Sequence, residues 1–250
     1  MNSTARPGWH PFFAIVTSLK ILGIIPARGG SKRCPRKNVR DLGGRPLVAW
    51  TIEAARAARK LDRLVVSSDD SEVLAIAAGY DERLPLERPA ELATDESLAI
   101  EYVRHALAVL EARGEGPFDA VAILQPSSPL MLPADIDATI EVLETSGADS
   151  AVSVMKLDFM IHPVKMKTLD GDRLLPYFED EGGRMAAREL PTIYVRNGCV
   201  YATRRASIEQ GQVIGADCRA HVMPRERSVD INDEADLLYA RFLVSRRDAQ

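Results

Sequence analysis

The feature that most constrains the fold is an alternation of short apolar runs with segments of helical spacing. Apolar runs predict buried strands at 19–25, 63–67, 120–124, 149–154 and 197–203. Apolar positions with a helical period predict helices at 47–61, 71–78, 97–112, 133–145 and 232–245. Strands that alternate with helices in this way form βαβ units. The pattern therefore predicts an α/β fold with a mostly parallel sheet and helices on both faces.

Three unusual loops follow strands of this predicted sheet, at 26–38, 67–70 and 125–130. Ligands of open parallel sheets bind beyond the carboxyl ends of the strands. Because all three loops lie at that edge, we expect them to form one shared site.

The first loop combines glycine with a high density of positive charge. Besides Gly29, Gly30 and Ser31, it contains five cations, Arg28, Lys32, Arg33, Arg36 and Lys37. Glycine lets the backbone approach a ligand closely, and exposed amides beside cations suit a polyphosphate. The loop is neither GxxxxGK[ST] nor GxGxxG, so it indicates a nucleotide site outside the P-loop and dinucleotide classes.

The composition argues against some classes of partner and indicates the cellular compartment. The net charge of −4 gives no general attraction to nucleic acid or to an anionic membrane, and no apolar run reaches the ~18 residues of a membrane span. Cys34, Cys199 and Cys218 form no CxxC pair and are expected to be reduced thiols of a cytoplasmic protein.

The chain is predicted to form a single domain over 19–250, preceded by a disordered leader at 1–18. Within this domain, residues 156–192 show no regular period and are rich in charge and aromatic residues. A stretch of this length inside a compact domain is usually functional, disordered or in contact with a partner.

Seven motifs in succession resemble the signature of the acylneuraminate cytidylyltransferases, or CMP-sialic acid synthetases. They read PARGGSKRCPRKN (26–38), VVSSDD (65–70), ERPAELATD (87–95), LQPSSPL (124–130), HPVK (162–165), RNGCVYA (196–202) and SVDINDEADL (228–237). The resemblance covers roughly 20–245. It implies a Rossmann-like nucleotidyltransferase fold and a homodimer built from a protruding segment, here about 156–192. It also implies Mg²⁺-dependent transfer of CMP from CTP to a sugar acid.

The same resemblance assigns the nucleotide side of the site. Arg28 and Lys37 match the phosphate-contacting pair and, with Asp230, are the expected catalytic residues. The further expected nucleotide contacts are Ala27, Gly29, Gly30, Ser31, Lys32, Asn38, Arg88 and Ser97.

Asp230 and Asn232 are the expected metal ligands. Carboxylate oxygens suit Mg²⁺, whereas an aspartate before a helix is most often a capping residue. The family usually has an aspartate at the second position. The presence of Asn232 therefore leaves open whether one or two metal ions bind. Asp233 or Asp236 would be the alternatives that supply the missing charge.

On the acceptor side, the resemblance implies contacts from Gln125, Ser127, Ser128 and Lys165, and from Arg188 toward the partner subunit's site. Met131 stands where the family commonly has arginine. This position either marks an unusual acceptor or is part of the core.

Three alternatives to a sialic-acid-like acceptor stay open. In the first, the acceptor is a different acid, such as a Kdo-like sugar or a small phosphonate. In the second, the chain is one of the nucleotidyltransferases that act on sugar 1-phosphates, although its loop lacks their GxGxR pattern. In the third, the chain is a homologue that binds a nucleotide and has lost activity through Asn232.

Overall fold

The computed structural model of the protein describes residues 18–177 and 190–247. Its strands are β1 (Ile21–Pro26), β2 (Asp41–Leu42), β3 (Arg45–Pro46), β4 (Arg63–Ser68), β5 (Pro85–Glu87), β6 (Ala120–Leu124), β7 (Ser150–Lys156), β8 (Lys167–Asp170), β9 (Arg173–Pro176), β10 (Tyr194–Arg204) and β11 (Cys218–Met223). Its α-helices are α1 (Leu47–Ala57), α2 (Ser71–Tyr80), α3 (Ala99–Ala112), α4 (Pro133–Ser146), α5 (Arg205–Glu209) and α6 (Glu234–Arg247).

Seven of these strands form the central sheet, in the order β11-β7-β10-β6-β1-β4-β5. The strand β10 runs antiparallel to both of its neighbours, β6 and β7, and the other pairings in the sheet are parallel. The predicted α/β class and mostly parallel sheet are therefore confirmed.

The central strand β1 shows why helices cover both faces of the sheet. Ile21 and Ile25 face a core shared with α1, α2 and α4, whereas Leu22 and Ile24 face a second core beneath α3. All four side chains are fully buried. Because side chains alternate between the faces of a strand, a run that is apolar throughout is stable only between two layers of helices.

A third core cluster places the C-terminal helix beside the site. Leu237 and Val244 of α6 pack against Leu42 of β2 and against Trp50, whose indole N–H donates to the Leu42 carbonyl at 2.9 Å. Ile231 is fully buried in the same cluster. The residues just before α6 are therefore held against the body of the domain. No helix in the described part of the chain is long and apolar enough to cross a membrane.

The structure differs from the sequence-based expectation in several elements. The helix predicted over 47–61 is too long, because Ala58 has an extended backbone and Leu61 instead packs against the core. The strands β5 and β11 and the helix α5 lie where no element was predicted. β5 and α5 are only three and five residues long. β11 is an edge strand with exposed residues such as Arg219, so it lacks an apolar run.

The segment 156–192, expected to be irregular, contains an antiparallel hairpin of β8 and β9, in which Leu169 lies opposite Leu174. The predicted leader at 1–18 falls outside the described residues except for its last position, as do residues 178–189, which include Arg188.

Candidate active site

A cleft of about 600 Å³ opens at the edge of the sheet where β1, β4 and β6 end. Its volume lies within the ~300–1,000 Å³ common for small-molecule sites. Ten of the predicted site residues line it, namely Arg28, Ser31, Lys32, Lys37, Asn38, Arg88, Ser97, Gln125, Ser127 and Asn232. Loops 26–38 and 125–130 therefore meet in one cleft, and loop 67–70 supports it from behind.

The loop after β1 is held in place by the loop after β4. The backbone N–H of Ala27 donates to the Ser67 carbonyl at 3.0 Å, and the Ser68 hydroxyl donates to the Ala27 carbonyl at 2.6 Å. The Gly29 N–H donates to the Asp69 carboxylate at 2.9 Å. Ala27, Gly29 and Gly30 are not among the cleft-lining residues. The Gly29 amide, expected to contact phosphate, is instead used to fix the loop.

Asp95 is a charged residue of this site that the sequence analysis missed. Its carboxylate forms an ion pair with Arg28 at 2.7 Å and a second one with Lys32. Hydrogen bonds from Lys32 and Arg28 hold the pKa of Asp95 below its ordinary value. A carboxylate thus lies against the two cations expected to bind phosphate. The signal was available, because Asp95 ends the motif ERPAELATD.

Lys37 links the cationic loop to the segment before α6. Its ammonium donates to the Ile231 carbonyl at 2.7 Å. Burial lowers the pKa of Lys37, and the charge of Asp230 opposes that shift. An ammonium that is desolvated in this way gains from an anion that binds beside it.

The cleft is also lined by two buried polar side chains, Arg88 and Asn38, that suit a nucleoside. Arg88 donates from Nε to the Ser67 hydroxyl at 3.0 Å and lies over the ring of Tyr102, and burial lowers its pKa. The Asn38 amide donates to the Arg28 carbonyl at 2.9 Å, while its buried Oδ1 has no partner in the described structure. Ser97 donates to the Glu91 carbonyl at 3.0 Å and thereby shapes the loop that carries Asp95.

Asp230 is exposed and does not itself line the cleft, although its carboxylate accepts from the side chain of Asn232, which does. It does not cap α6. The cap is Asp233, whose Oδ1 accepts from the N–H groups of Ala235 and Asp236 at 2.9 and 3.0 Å. The carboxylate of Asp236 accepts from the N–H groups of Asn232 and Asp233. Asp233 and Asp236 are therefore used in building the helix start. The suggestion that either of them replaces a second metal ligand is not supported.

The side chains at Asp230 suit a cation that takes most of its ligands from phosphate and water. The Asn232 amide donates to Asp230 Oδ2 at 2.9 Å, so one carboxylate and one amide lie together. Within the described residues no three His, Cys, Asp or Glu side chains are grouped to hold a metal. Mg²⁺ commonly takes one or two carboxylates and completes its shell with phosphates and water. The residues at Asp230 fit such an ion and do not form a closed metal cage.

Residues distant in sequence hold the Asp230 segment against the sheet. The Ile231 N–H donates to the Ser127 carbonyl at 2.8 Å. The buried amide of Asn197 donates to the Ser228 hydroxyl at 2.8 Å and accepts from the Ser153 hydroxyl at 2.7 Å. These contacts were not anticipated from the sequence, although Asn197 lies in the motif RNGCVYA.

The expected acceptor residues are only partly brought together. Gln125 and Ser127 line the cleft, whereas Ser128 is fully buried and its hydroxyl has no hydrogen-bond partner in the described structure. Lys165 lies 3.6 Å from the ring centre of Phe159 and does not line the cleft. Arg188 lies outside the described residues.

Met131 is only 2% exposed and belongs to the core cluster beneath α1, α2 and α4. Of its two interpretations, packing is the correct one.

Comparison with known proteins identifies the family. The profile described as "Cytidylyltransferase" matches residues 22–206. A pseudaminic acid cytidylyltransferase of Campylobacter jejuni is 29% identical over 226 residues, which are 90% of this chain and 96% of the relative. A CMP-N,N'-diacetyllegionaminic acid synthase of Legionella pneumophila is 37% identical over 195 residues, 76% of this chain and 81% of the relative. An N-acylneuraminate cytidylyltransferase of Escherichia coli is 30% identical over 233 residues, 92% of this chain and 54% of the longer relative.

Solved structures confirm the fold. The structure of CMP:2-keto-3-deoxy-manno-octonic acid synthetase complexed with CTP superposes with a TM-score of 0.67 at 17% identity, covering 91% of this chain and 99% of that one. The 4-diphosphocytidyl-2C-methyl-D-erythritol synthase from Anaerococcus prevotii gives a TM-score of 0.62 at 15% identity, covering 93% and 99%. The Rossmann-like nucleotidyltransferase fold is thus shown, the resemblance drawn from the motifs is confirmed, and the chain belongs to the cytidylyltransferase family.

Proposed function

We propose that the protein transfers CMP from CTP to a hydroxyl of a nonulosonic, sialic-acid-like sugar acid and releases pyrophosphate. The observation that carries the proposal is the cleft itself. Arg28, Lys32 and Lys37 line it together with Arg88 and Asn38, and the Asp230 carboxylate accepts a hydrogen bond from Asn232, which also lines it. The acceptor class is supported by the pseudaminic, legionaminic and N-acylneuraminic names of the relatives.

In the proposed reaction the acceptor oxygen attacks the α-phosphorus of CTP. The bond from that phosphorus to the oxygen bridging the β-phosphate breaks, and the hydroxyl proton passes to water. Such transfers are catalysed mainly by positioning and by cations on the phosphate oxygens. Lys37 and Arg28 supply those cations on the protein side.

Asp95 leaves its two cations when the triphosphate takes its place, because one anion exchanges for another. The paired carboxylate thereby keeps Arg28 and Lys32 in position before the nucleotide binds.

Mg²⁺ is part of the proposal, with Asp230 as its carboxylate ligand and Asn232 beside it. When bound, the ion would neutralise charge on the phosphate oxygens. The protein's contribution is to hold that carboxylate beside Asn232 of the cleft, through the buried Ile231 and through Asn197.

A homodimer in the cytoplasm completes the proposal. The hairpin and its flanks expose large apolar side chains, with Leu169 71%, Met160 72% and Leu174 65% exposed. An apolar surface of this kind marks a contact with another protein. The cytoplasmic location is supported by the three cysteines, all of which are free thiols.

The test is pyrophosphate release from Mg-CTP with a panel of acceptors. The panel contains N-acetylneuraminate, legionaminate, pseudaminate, Kdo and small phosphonates. We expect release with a nonulosonic acid. Release only with Kdo or a phosphonate would overturn the acceptor class. Binding of CTP without release across the whole panel would instead favour the inactive homologue.

A further inference from the structure

Arg33 differs from its neighbours in the cationic loop in what its side chain contacts. The other cations are already engaged, Arg28 and Lys32 with Asp95, Arg36 with Glu72, and Lys37 with the Ile231 carbonyl. The Arg33 guanidinium instead donates to the neutral amide oxygen of Asn232, at 3.3 Å. No carboxylate in the described part of the chain forms an ion pair with it. Its positive charge is therefore not neutralised locally.

The amide that holds Arg33 is itself fixed on its other side. Asn232 donates from Nδ2 to Asp230 Oδ2 at 2.9 Å, and its backbone N–H donates to Asp236 at 2.8 Å. With its NH₂ group turned to Asp230, the amide presents its oxygen to Arg33. An aspartate at this position would repel Asp230 and neutralise Arg33. The amide does neither, and so it links the Arg33 guanidinium to the Asp230 carboxylate without cancelling the charge of either.

Arg33 and Asn232 both line the same cleft as Arg28, Lys32 and Lys37. The charge of Arg33 is also felt at Lys37, where it contributes to lowering the pKa of that ammonium. An exposed guanidinium at this place can donate several hydrogen bonds to phosphate oxygens in a planar fork.

We propose that Arg33 binds the triphosphate of the nucleotide, and that Asn232 is a positioning residue that holds the Arg33 guanidinium in the cleft. The proposal rests on the proposed function, since it requires a nucleotide in this cleft. It gives Asn232 a role as the orienting group of an additional phosphate-binding cation, independent of metal ligation.

Calorimetric titration with CTP and CMP in EDTA tests the proposal without acceptor, turnover or metal. The variants are Arg33→Gln, Asn232→Ala and the double variant. Arg36→Gln is the matched control, because Arg36 lies in the same loop but pairs with Glu72 and does not line the cleft. Thermal unfolding of each variant verifies that it is folded.

We expect Arg33→Gln to weaken CTP binding about tenfold at low ionic strength, as for loss of a charged hydrogen bond, with less effect in high salt. CMP binding should change less than about twofold, because CMP lacks the two distal phosphates. Arg33→Lys should restore part of the loss. Asn232→Ala should weaken CTP binding in the wild-type background and have no further effect once Arg33 is replaced.

Unchanged CTP affinity in Arg33→Gln would overturn the assignment of Arg33, as would an equal loss for CMP or an equal loss in Arg36→Gln. An effect of Asn232→Ala that is the same in both backgrounds would overturn the positioning role. These outcomes differ from failure of the proposed function, in which the wild-type protein itself would bind no CTP.

Discussion

The guanidinium of Arg227 donates to both carboxylate oxygens of Asp135, at 2.9 and 2.7 Å. Asp135 lies in the first turn of α4 and is 2% exposed, and Arg227 lies three residues before Asp230. The carboxylate also accepts from the Leu132 N–H at 2.9 Å, which caps the helix. One buried carboxylate therefore caps the start of α4 and also holds Arg227, which lies in the segment that leads to Asp230.

Asp135→Asn should lower the free energy of unfolding by about 2 kcal/mol at neutral pH. Breaking a fully buried pair typically costs ~3–5 kcal/mol, and the partial exposure of Arg227 reduces this figure. Urea unfolding measures the change. Asp158→Asn is the control, because the exposed pair of Asp158 and Arg225 is expected to contribute less than about 1 kcal/mol. Equal losses in the two variants would contradict the anchoring role of Asp135.

The same carboxylate should make the protein sensitive to acid. Burial alone would raise the pKa of Asp135, but His221 and Arg227 outweigh burial and hold it well below its usual range. A folded-state pKa below the unfolded value gives stability that is complete above that unfolded value, about 3.9, and is lost as the pH falls further. Unfolding free energies measured from about pH 5 down to about pH 2 should therefore fall less steeply in Asp135→Asn than in the wild type. Parallel curves for the two proteins would refute this.

Lys37 should make CTP binding dependent on pH in the alkaline range. Burial lowers its pKa from the ordinary value of 10.5, Asp230 opposes the shift, and Arg33 and Arg28 add to it. Because the protonated ammonium binds phosphate, CTP affinity should fall as the pH rises through this lowered pKa. Calorimetry between about pH 8 and about pH 10 should show the fall in wild type and not in Lys37→Arg, which stays charged. A flat wild-type profile would argue against Lys37 as a phosphate ligand.

Asp230→Ala should lower pyrophosphate release about a hundredfold or more, as expected for loss of a metal-binding carboxylate. Its stability should change by less than about 1 kcal/mol, because the exposed Asp230 caps no helix. Turnover and the melting temperature are measured together. The control Asp233→Ser keeps a capping oxygen for α6 and should retain both. Full turnover in Asp230→Ala would remove the metal assignment.

The apolar hairpin should mediate self-association. Leu169 and Leu174 are cross-strand partners, so they lie on one face of the β8–β9 hairpin. Replacing both with aspartate should convert a dimer to a monomer in light scattering, because two desolvated charges would be placed in the interface. Thr168→Asp, at the neighbouring position that points to the opposite face, should stay dimeric. A monomeric wild type would exclude the dimer.

The convergence of loops into one site could be predicted because parallel strands leave an unambiguous signal. Strands such as β1 and β6 are buried on both faces and are apolar throughout, so their ends are visible in the sequence. The loops that follow must then meet at one edge. Edge strand β11 gives no such signal, because its exposed side chains are free to be polar.

The contacts that complete the site could not be predicted, because they join residues far apart in the chain. Arg227 and Asp135 are separated by 92 positions, and Asn197 and Ser153 by 44. No local period or motif spacing encodes such pairs. The structure was also needed to exclude Asp230 as a helix cap. Only the contacts at the start of α6 show that Asp233 is the cap.

The antiparallel direction of β10 has a consequence for how such a chain can diversify. β7 and β10 are adjacent in the sheet, and the Leu157 N–H donates to the Ile193 carbonyl at 2.9 Å. The segment 157–193 therefore begins and ends at two residues that are hydrogen-bonded to each other. Its length and sequence can change without altering the hydrogen bonds of Asn197 to Ser153 and Ser228, which lie outside it. Surface contacts made by this segment can therefore change while the hydrogen bonds that hold the Asp230 segment stay the same.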